Sequence, residues 1–330
     1  MTVPVIMALV HQHPQLKITV VSRIFFKPIF QNIPNVDFFP VYVHHEHKGF
    51  LGLFRLYKDL KSKGIIEIAD LHNVLRSKVI RTLFAMRGTK TAYVDKGRAG
   101  KTALTRAENK IFKQLPTMFE RHAKVFEQLG YPIDLSHPVF IKKQNLDLET
   151  IHLTGDIPKE EAAKWIGIAP FAQYDSKVYP LDLMQQVIDK LAENATYKIL
   201  LFGGGKKEIG LLDSLSNQRE NVINCAGKIN FKQELQLISN LDLMLSMDSG
   251  NAHIAAMFGV KVITLWGATH PFAGFSPFHQ PLENTLGPDR NLFPKLPTSV
   301  YGNKKVEGYE SAMRTILPAT IIEKITTSLK

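Results

Sequence analysis

Cysteine is almost absent from this chain. A single residue, Cys225, among 330 excludes an internal disulfide framework and a zinc site built from several cysteines. A buried structural thiol is its expected role. Long apolar runs are missing as well: none reaches the ~18 to 20 residues that span a bilayer. No segment joins a basic start, an apolar middle and a small-residue cleavage site, so a cytoplasmic protein is expected. Aromatic residues are sparse where basic residues are densest, between Arg76 and Lys124. No nucleic-acid motif accompanies that charge, which argues against a nucleic-acid groove. Acidic residues are in deficit, with 41 Lys and Arg against 30 Asp and Glu, a net charge of +11. Such a surplus concentrates phosphates or anionic lipids near the surface without choosing between them.

What the chain does have is alternation. Its length favours two domains. Helices are expected at Thr2 to Leu9, Leu51 to Lys61, Ser77 to Met86 and Met118 to Leu129, with strands at Lys17 to Ser22, Val36 to Phe39, Ile65 to Asp70 and Lys90 to Asp95. This half begins on a helix where a doubly wound domain begins on a strand. A first strand is therefore missing, and residues ahead of Met1 are expected. Between Phe140 and Glu161 the pattern turns polar and aperiodic, as a linker does. Alternation then resumes with strands at Trp165 to Ala169, Tyr197 to Phe202, Asn221 to Asn224, Leu241 to Leu245 and Val260 to Leu265. The helices between and after them fall at Leu181 to Asn194, near Glu208 to Ser216, at Phe231 to Ser239 and at Ala252 to Phe258. The expected architecture is α/β, two Rossmann-like doubly wound domains, residues 1–155 and 160–330, facing a central cleft.

Three features of the first half invite functional readings. His44-His-Glu-His47 has metal-binding residue types, but neighbours in an extended segment point to opposite faces and do not share an ion. Gly97-Arg-Ala-Gly-Lys-Thr102 follows a strand and looks like a phosphate loop. That pattern needs a glycine where Asp95 stands, which argues against nucleotide binding there. Asp70, at a strand end, can reach a ligand hydroxyl or simply satisfy its own turn.

The second half holds the most informative stretch, Ser246-Met-Asp-Ser-Gly-Asn-Ala-His253. It reads as a strand, a tight turn and a helix start. The first helical turn leaves backbone N–H groups without intrahelical partners, and these suit an anion. Ser249, Gly250 and Asn251 are placed to offer them, and the Ser249 hydroxyl and His253 imidazole add further donors. Ordinary capping by Asp248 or Ser249 is the competing reading. Two other turns, Pro170 to Pro180 with Lys177 and Gly203-Gly-Gly-Lys-Lys-Glu208, leave the same sheet edge. A lysine supplies a point charge to a diphosphate, and a carboxylate can accept two hydrogen bonds from a ribose diol.

The run Asp248 to His253, followed by Val260-Lys-Val-Ile-Thr-Leu-Trp-Gly-Ala-Thr-His-Pro271, resembles the signature of glycosyltransferase family 9, the ADP-heptose:lipopolysaccharide heptosyltransferases. Lys177-Val-Tyr-Pro180, Ala226-Gly-Lys228 and Thr2 to Leu9 are similar to further segments of that family. The resemblance implies a GT-B architecture, with the last helix, 318–329, packing back on the first domain. It also implies inverting, metal-independent transfer of heptose from ADP-heptose to an anionic glycolipid acceptor at the inner face of the cytoplasmic membrane. No cofactor is implied, and a monomer is expected. The donor phosphates would lie on Asp248, Ser249, Gly250, Asn251 and His253, with Lys177 offsetting their charge and Thr269 alongside. Glu208 would take the ribose, although it is displaced by one position from the family pattern. The family's general base, an aspartate in the turn after the first strand, would lie upstream of Met1, leaving Asp70 as a substitute. Lys96, Arg98, Lys101 and Arg121 are candidates for the acidic acceptor. Two other readings stay open: a nucleotide-sugar-binding protein without transferase activity, and a GT-B transferase or epimerase acting on another nucleotide sugar.

Overall fold

The structure is a computed structural model that describes residues 1–153, 163–217 and 219–330. From the amino terminus the elements are α1 (Thr2–Gln12), β1 (Ile18–Ser22), α2 (Lys27–Phe30), β2 (Val36–Pro40), α3 (Gly49–Lys61), β3 (Glu67–Asp70), α4 (Leu75–Ala85) and β4 (Lys90–Tyr93). Then come α5 (Arg98–Thr105), α6 (Met118–Leu129), α7 (Leu148–Leu153), β5 (Lys164–Ala169), α8 (Leu181–Ala192), β6 (Tyr197–Leu201) and α9 (Lys206–Ser216). The chain continues through β7 (Val222–Asn224), α10 (Phe231–Ser239), β8 (Leu243–Met247), α11 (Gly250–Met257), β9 (Lys261–Leu265), β10 (Thr285–Leu286) and α12 (Pro318–Ser328). It divides into two compact units: Met1–Gly97 with Pro116–Ile141, and Arg98–Leu115 with Lys142–Lys330. Of the expected linker, residues 154–161 lie outside the described residues. The described chain passes between the units earlier, after Gly97, Leu115 and Ile141.

In the first unit the described strands form two separate parallel pairs, β1 with β2 and β3 with β4. The inner face of α3 supplies Leu53, Leu56, Tyr57 and Leu60, which pack with Ile80 and Phe84 of α4. Spacings of three and four residues bring these side chains onto one side of each helix. The helix α6 begins and ends where the sequence places it because both ends are chemically marked. Thr117 caps it, accepting from the Glu120 amide while Glu120 takes the Thr117 amide, and Gly130 closes it at φ 101°.

The second unit is built on one parallel sheet in the order β10-β9-β8-β5-β6-β7. Every residue of β8, and Trp165 to Ala169 in β5, is buried, as expected of central strands covered by helices on both faces. Ile166, Ile168, Leu243 and Leu245 form the core with Val187 and Ile188 of α8 and Ile321 and Ile325 of α12. Each such side chain contributes roughly 1.5–3 kcal/mol by leaving water. Cys225 is fully buried here, and burial pushes its thiol up to about 12. The strand expected at Leu241 to Leu245 runs instead from Leu243 to Met247. Asp242 is used in the turn before it, its carboxylate accepting from the Trp165 amide at 2.7 Å.

The sheet order fixes where a ligand site can form. β6 lies on one side of β5 and β8 on the other, so the chain reverses its direction of winding between β5 and β8. Segments leaving the carboxyl ends of those two strands flank the crevice in which open α/β sheets bind ligands.

Candidate functional site

The two segments at that switch point meet through Lys177 and Asp248. After β5 the chain makes a short 3-10 turn, Asp175–Lys177, which points the lysine back across the sheet edge. Its Nζ donates to the Asp248 carbonyl at 2.6 Å and lies 3.3 Å from the Asp248 carboxylate. Thr269, from the loop after β9, donates to the same carboxylate oxygen at 2.9 Å. Lys177 and Thr269 are buried, at 8% and 2% exposure. A buried lysine needs an anionic partner. An ammonium carries three N–H donors, and Asp248 accounts for two of them.

Beyond Asp248 the first turn of α11 is open. Ser249 occupies the N-cap position but makes no capping hydrogen bond, and its hydroxyl lies 3.0 Å from that of Ser246. There is no acidic residue in the first turn. Neighbouring helix starts differ: α10 is capped by Asn230 and Gln233, and α9, also without a side-chain cap, carries the acid Glu208 in its first turn, which accepts from the Gly204 amide at 2.8 Å. The amides of Gly250 and Asn251 thus have neither cap nor countercharge. A Cβ built on Gly250 meets nothing within 4 Å, so a bulky oxyanion has room. Positive helix-end potential, open amides and a lysine 71 residues away in sequence converge on one small region.

His253 follows one turn into α11. Burial pulls its imidazole down to about 3, and its Nδ1 is buried with no partner. A neutral ring carries one donor and one acceptor, so His253 contributes a hydrogen bond rather than a charge. Asn251 is held from behind, its Nδ2 donating to Glu234 of α10 at 3.3 Å. Burial raises the Glu234 carboxyl above its usual range.

The expected donor residues therefore divide. Lys177 and Thr269 both bond Asp248, and Ser249, Gly250, Asn251 and His253 continue from Asp248 into α11. Glu208 stands apart from that network at the end of β6, where its carboxylate closes the glycine turn. The first-half candidates are engaged in local contacts. Asp70 accepts from the amides of His72 and Asn73 at 3.1 and 2.7 Å, and its other oxygen pairs with Arg81 at 3.2 Å. Arg121 bonds the Asp95 carbonyl and carboxylate, both at 3.2 Å, and folds beneath Gly97. Lys101 is buried in α5 with its Nζ 4.1 Å from the Phe275 ring centre, so the phosphate-loop look-alike is the start of a helix. Lys96 is half-buried and Arg98 exposed. His47 accepts from the Tyr42 amide at 3.0 Å and faces Asp59 at 3.3 Å, while His44, His45 and Glu46 are exposed.

Several contributors were not legible as site residues. Gly302, at φ 90°, lies against the lysine stem: a Cβ there would stand 2.7 and 2.8 Å from Lys177 Cγ and Cδ. Ser176 ties the two segments together, donating to the Gly302 carbonyl at 2.6 Å and accepting from the Ala268 amide at 2.9 Å. Glu234 gave no signal beyond an acid in a helix start.

Comparison with known proteins follows the same lines. The model of glycosyltransferase family 9 (heptosyltransferase) matches residues 53–294. A lipooligosaccharide heptosyltransferase 2 of Haemophilus influenzae is 28% identical over 329 residues, covering 95% of this chain and 91% of its own. A lipopolysaccharide heptosyltransferase 2 of Escherichia coli is 24% identical over 331 residues, covering 95% and 90%. Among solved structures, the ADP-heptose lipopolysaccharide heptosyltransferase II of Escherichia coli aligns at TM-score 0.66 and 18% identity, covering 99% of this chain and 93% of that one. A family 9 glycosyltransferase of Veillonella parvula aligns at TM-score 0.73 and 18% identity, covering 99% and 92%. The shared fold is that of the GT-B glycosyltransferases.

Proposed function

Because the chain belongs to glycosyltransferase family 9, the heptosyltransferases, we propose that it moves a heptose from ADP-heptose to an anionic lipopolysaccharide-core-type acceptor, with inversion and without a metal. The observation that carries the donor assignment is the open start of α11 beside Lys177. The acceptor hydroxyl attacks the anomeric carbon as the bond from that carbon to the β-phosphate oxygen breaks. ADP departs with the bonding electron pair, and the hydroxyl proton passes to a base. Lys177 and the amides of Gly250 and Asn251 stabilise the charge on the departing diphosphate, with the Ser249 hydroxyl and neutral His253 as further donors. Each such donor contributes on the order of 10²-fold in rate. Asp248 and Thr269 hold Lys177 in place, and Glu208 takes the ribose.

Three contacts already made by Asp70 argue against its use as the base. For the acceptor, Lys96 and Arg98 are better presented than Lys101 and Arg121, whose charged groups serve internal contacts. The first unit is the acceptor side and the second the donor side, and the protein works as a monomer at the inner face of the cytoplasmic membrane. Among the described residues, no helix is long and apolar enough to cross that membrane.

The test is a transfer assay with purified protein, ADP-heptose and a heptose-deficient lipopolysaccharide core, read by mass spectrometry with and without a chelator. Addition of one heptose, unaffected by the chelator and of inverted anomeric configuration by NMR, is expected. Donor binding without transfer would favour the binding-only reading, and a new sugar formed from donor alone would favour an epimerase.

A further inference from the structure

The helix α3 has two apolar faces, and only one is used by the fold. Leu53, Leu56, Tyr57 and Leu60 turn into the core of the first unit. On the opposite side Phe50, Leu51 and Phe54 stand in water at 76%, 84% and 44% exposure. Phe54 is four residues from Phe50 and three from Leu51, the spacings that make helical side chains neighbours, so the three form a patch over the first turns. Isolated exposed apolar residues are ordinary, but clustered large ones mark an interaction site.

The patch sits among basic residues. Lys48 precedes the helix, Arg55 and Lys58 lie exposed on it, and Lys61 and Lys63 follow. The Lys58 ammonium is 5.3 Å from the centre of the Phe54 ring. Two acids are near: Glu46, which is exposed, and Asp59, which faces His47. A second apolar and basic segment leaves the same edge of the sheet. β1 and β2 end in register, Ser22 opposite Pro40. The chain leaving Ser22 carries Arg23, Ile24 at 45% exposure, and Lys27, while the chain leaving Pro40 carries Tyr42 and then α3.

We propose that the Phe50–Leu51–Phe54 face of α3 is a docking surface for an anionic lipid bilayer. The three side chains enter the boundary between headgroups and acyl chains, while Lys48, Arg55 and Lys58 remain at the phosphates. This is how interfacial amphipathic helices bind, and the negative surface of an anionic leaflet supplies the complementary charge. A symmetric pairing of two copies through this face fits less well, because a two-fold contact sets the same patch against itself and brings the lysines of both copies together. The proposal rests on the reading of the acceptor as a membrane glycolipid, to which such docking would bring the enzyme.

The test is co-sedimentation of the full chain with vesicles of phosphatidylcholine alone or mixed with phosphatidylglycerol, alongside calorimetric titration with ADP. Wild-type protein is expected to sediment with the anionic vesicles and not with the neutral ones. Phe50→Ser combined with Leu51→Ser should lower that partition roughly tenfold or more. Arg55→Glu with Lys58→Glu should lower it several-fold and flatten its salt dependence. Circular dichroism and ADP affinity should match wild type in both variants. The proposal is overturned if wild type ignores anionic vesicles or if the Phe50 and Leu51 variant sediments like wild type. It is also overturned if those substitutions instead convert a dimer to a monomer in sedimentation velocity. Failure of wild type to bind ADP would count against the donor reading and leave the vesicle result standing on its own.

Discussion

The two units place the same residue types at the carboxyl ends of their strands and use them differently. In the first, Asp70 ends β3 with both oxygens occupied, by two turn amides and by Arg81. In the second, Asp248 follows β8 and is also paired, with Lys177 and Thr269. The difference lies in the residues that follow. The turn after Asp70 closes through Asn73, whose side chain donates to the Val94 carbonyl at 2.9 Å, and α4 is joined to it by the hydroxyl of Ser77. Neither α4 nor α11 has a side-chain cap, but Asp70 takes the amides two and three residues on, whereas the corresponding amides of Gly250 and Asn251 are left open by Asp248. A carboxylate at a strand end is therefore no guide to function by itself. What separates a structural turn from a ligand site is whether the amides beyond it have been satisfied.

The sharpest way to break this contrast is to remove one charge from each side. Lys177→Ala should weaken ADP binding about 10²-fold and lower the transfer rate by a similar factor. Asp70→Asn should leave ADP affinity unchanged while costing roughly 3 kcal/mol in urea unfolding, since it breaks a buried pair and strands Arg81. Titration calorimetry and denaturation on both variants decide the matter. If Asp70→Asn abolished transfer with stability intact, the structural reading of the first-unit turn would be wrong.

A smaller effect probes how Lys177 is aimed. Gly302→Ala should destabilise by roughly 1–3 kcal/mol, because a left-handed backbone and the lysine stem both oppose a side chain there. ADP should bind more weakly as Lys177 is displaced. Gly302→Ser should behave like Gly302→Ala, whereas Gly210→Ala, at an exposed position of α9 where a Cβ meets nothing within 4 Å, should leave ADP binding unchanged.

A further expected effect is a pH dependence carried by two histidines of the second unit. Burial holds His253 at about 3 and His270 at about 4, against 6.5. The His270 Nδ1 also accepts from the Phe272 amide at 3.1 Å, a bond that requires the ring nitrogen unprotonated. Below pH 6.5 the unfolded chain takes up protons that these folded rings refuse. The stability these two rings contribute is thus complete above 6.5 and falls as the pH drops toward 4 for His270 and toward 3 for His253. Thermal denaturation across that range should show the decline, and His270→Phe should flatten it.

Much of the fold was readable because its boundaries carry chemistry. The limits of α6 and α10 agree with their sequence patterns, marked by Thr117 with Glu120 and by Asn230 with Gln233. The helix α5 was hidden by its glycines, and its Lys101 has the position of a phosphate-binding lysine but the environment of a core residue. Among the site residues, Asp248 to His253 stood out because one turn holds them all, and Lys177 because it follows a central strand. Gly302 and Glu234 reach that region from distant segments, and Ser176, beside Lys177, acts through its bond to Gly302. Their roles depend on contacts that no local pattern encodes.

The central claim is that the donor diphosphate sits on the open start of α11, and Gly250→Glu tests it most directly. Position 250 has room for a side chain, and an acid at the first helical position suits the positive helix end. Thermal stability should therefore hold or rise, while the new carboxylate occupies the amides that the phosphates need. Calorimetric titration should then show ADP binding lost in a fully folded variant. If Gly250→Glu binds ADP as wild type does, the nucleotide lies elsewhere and the account is wrong.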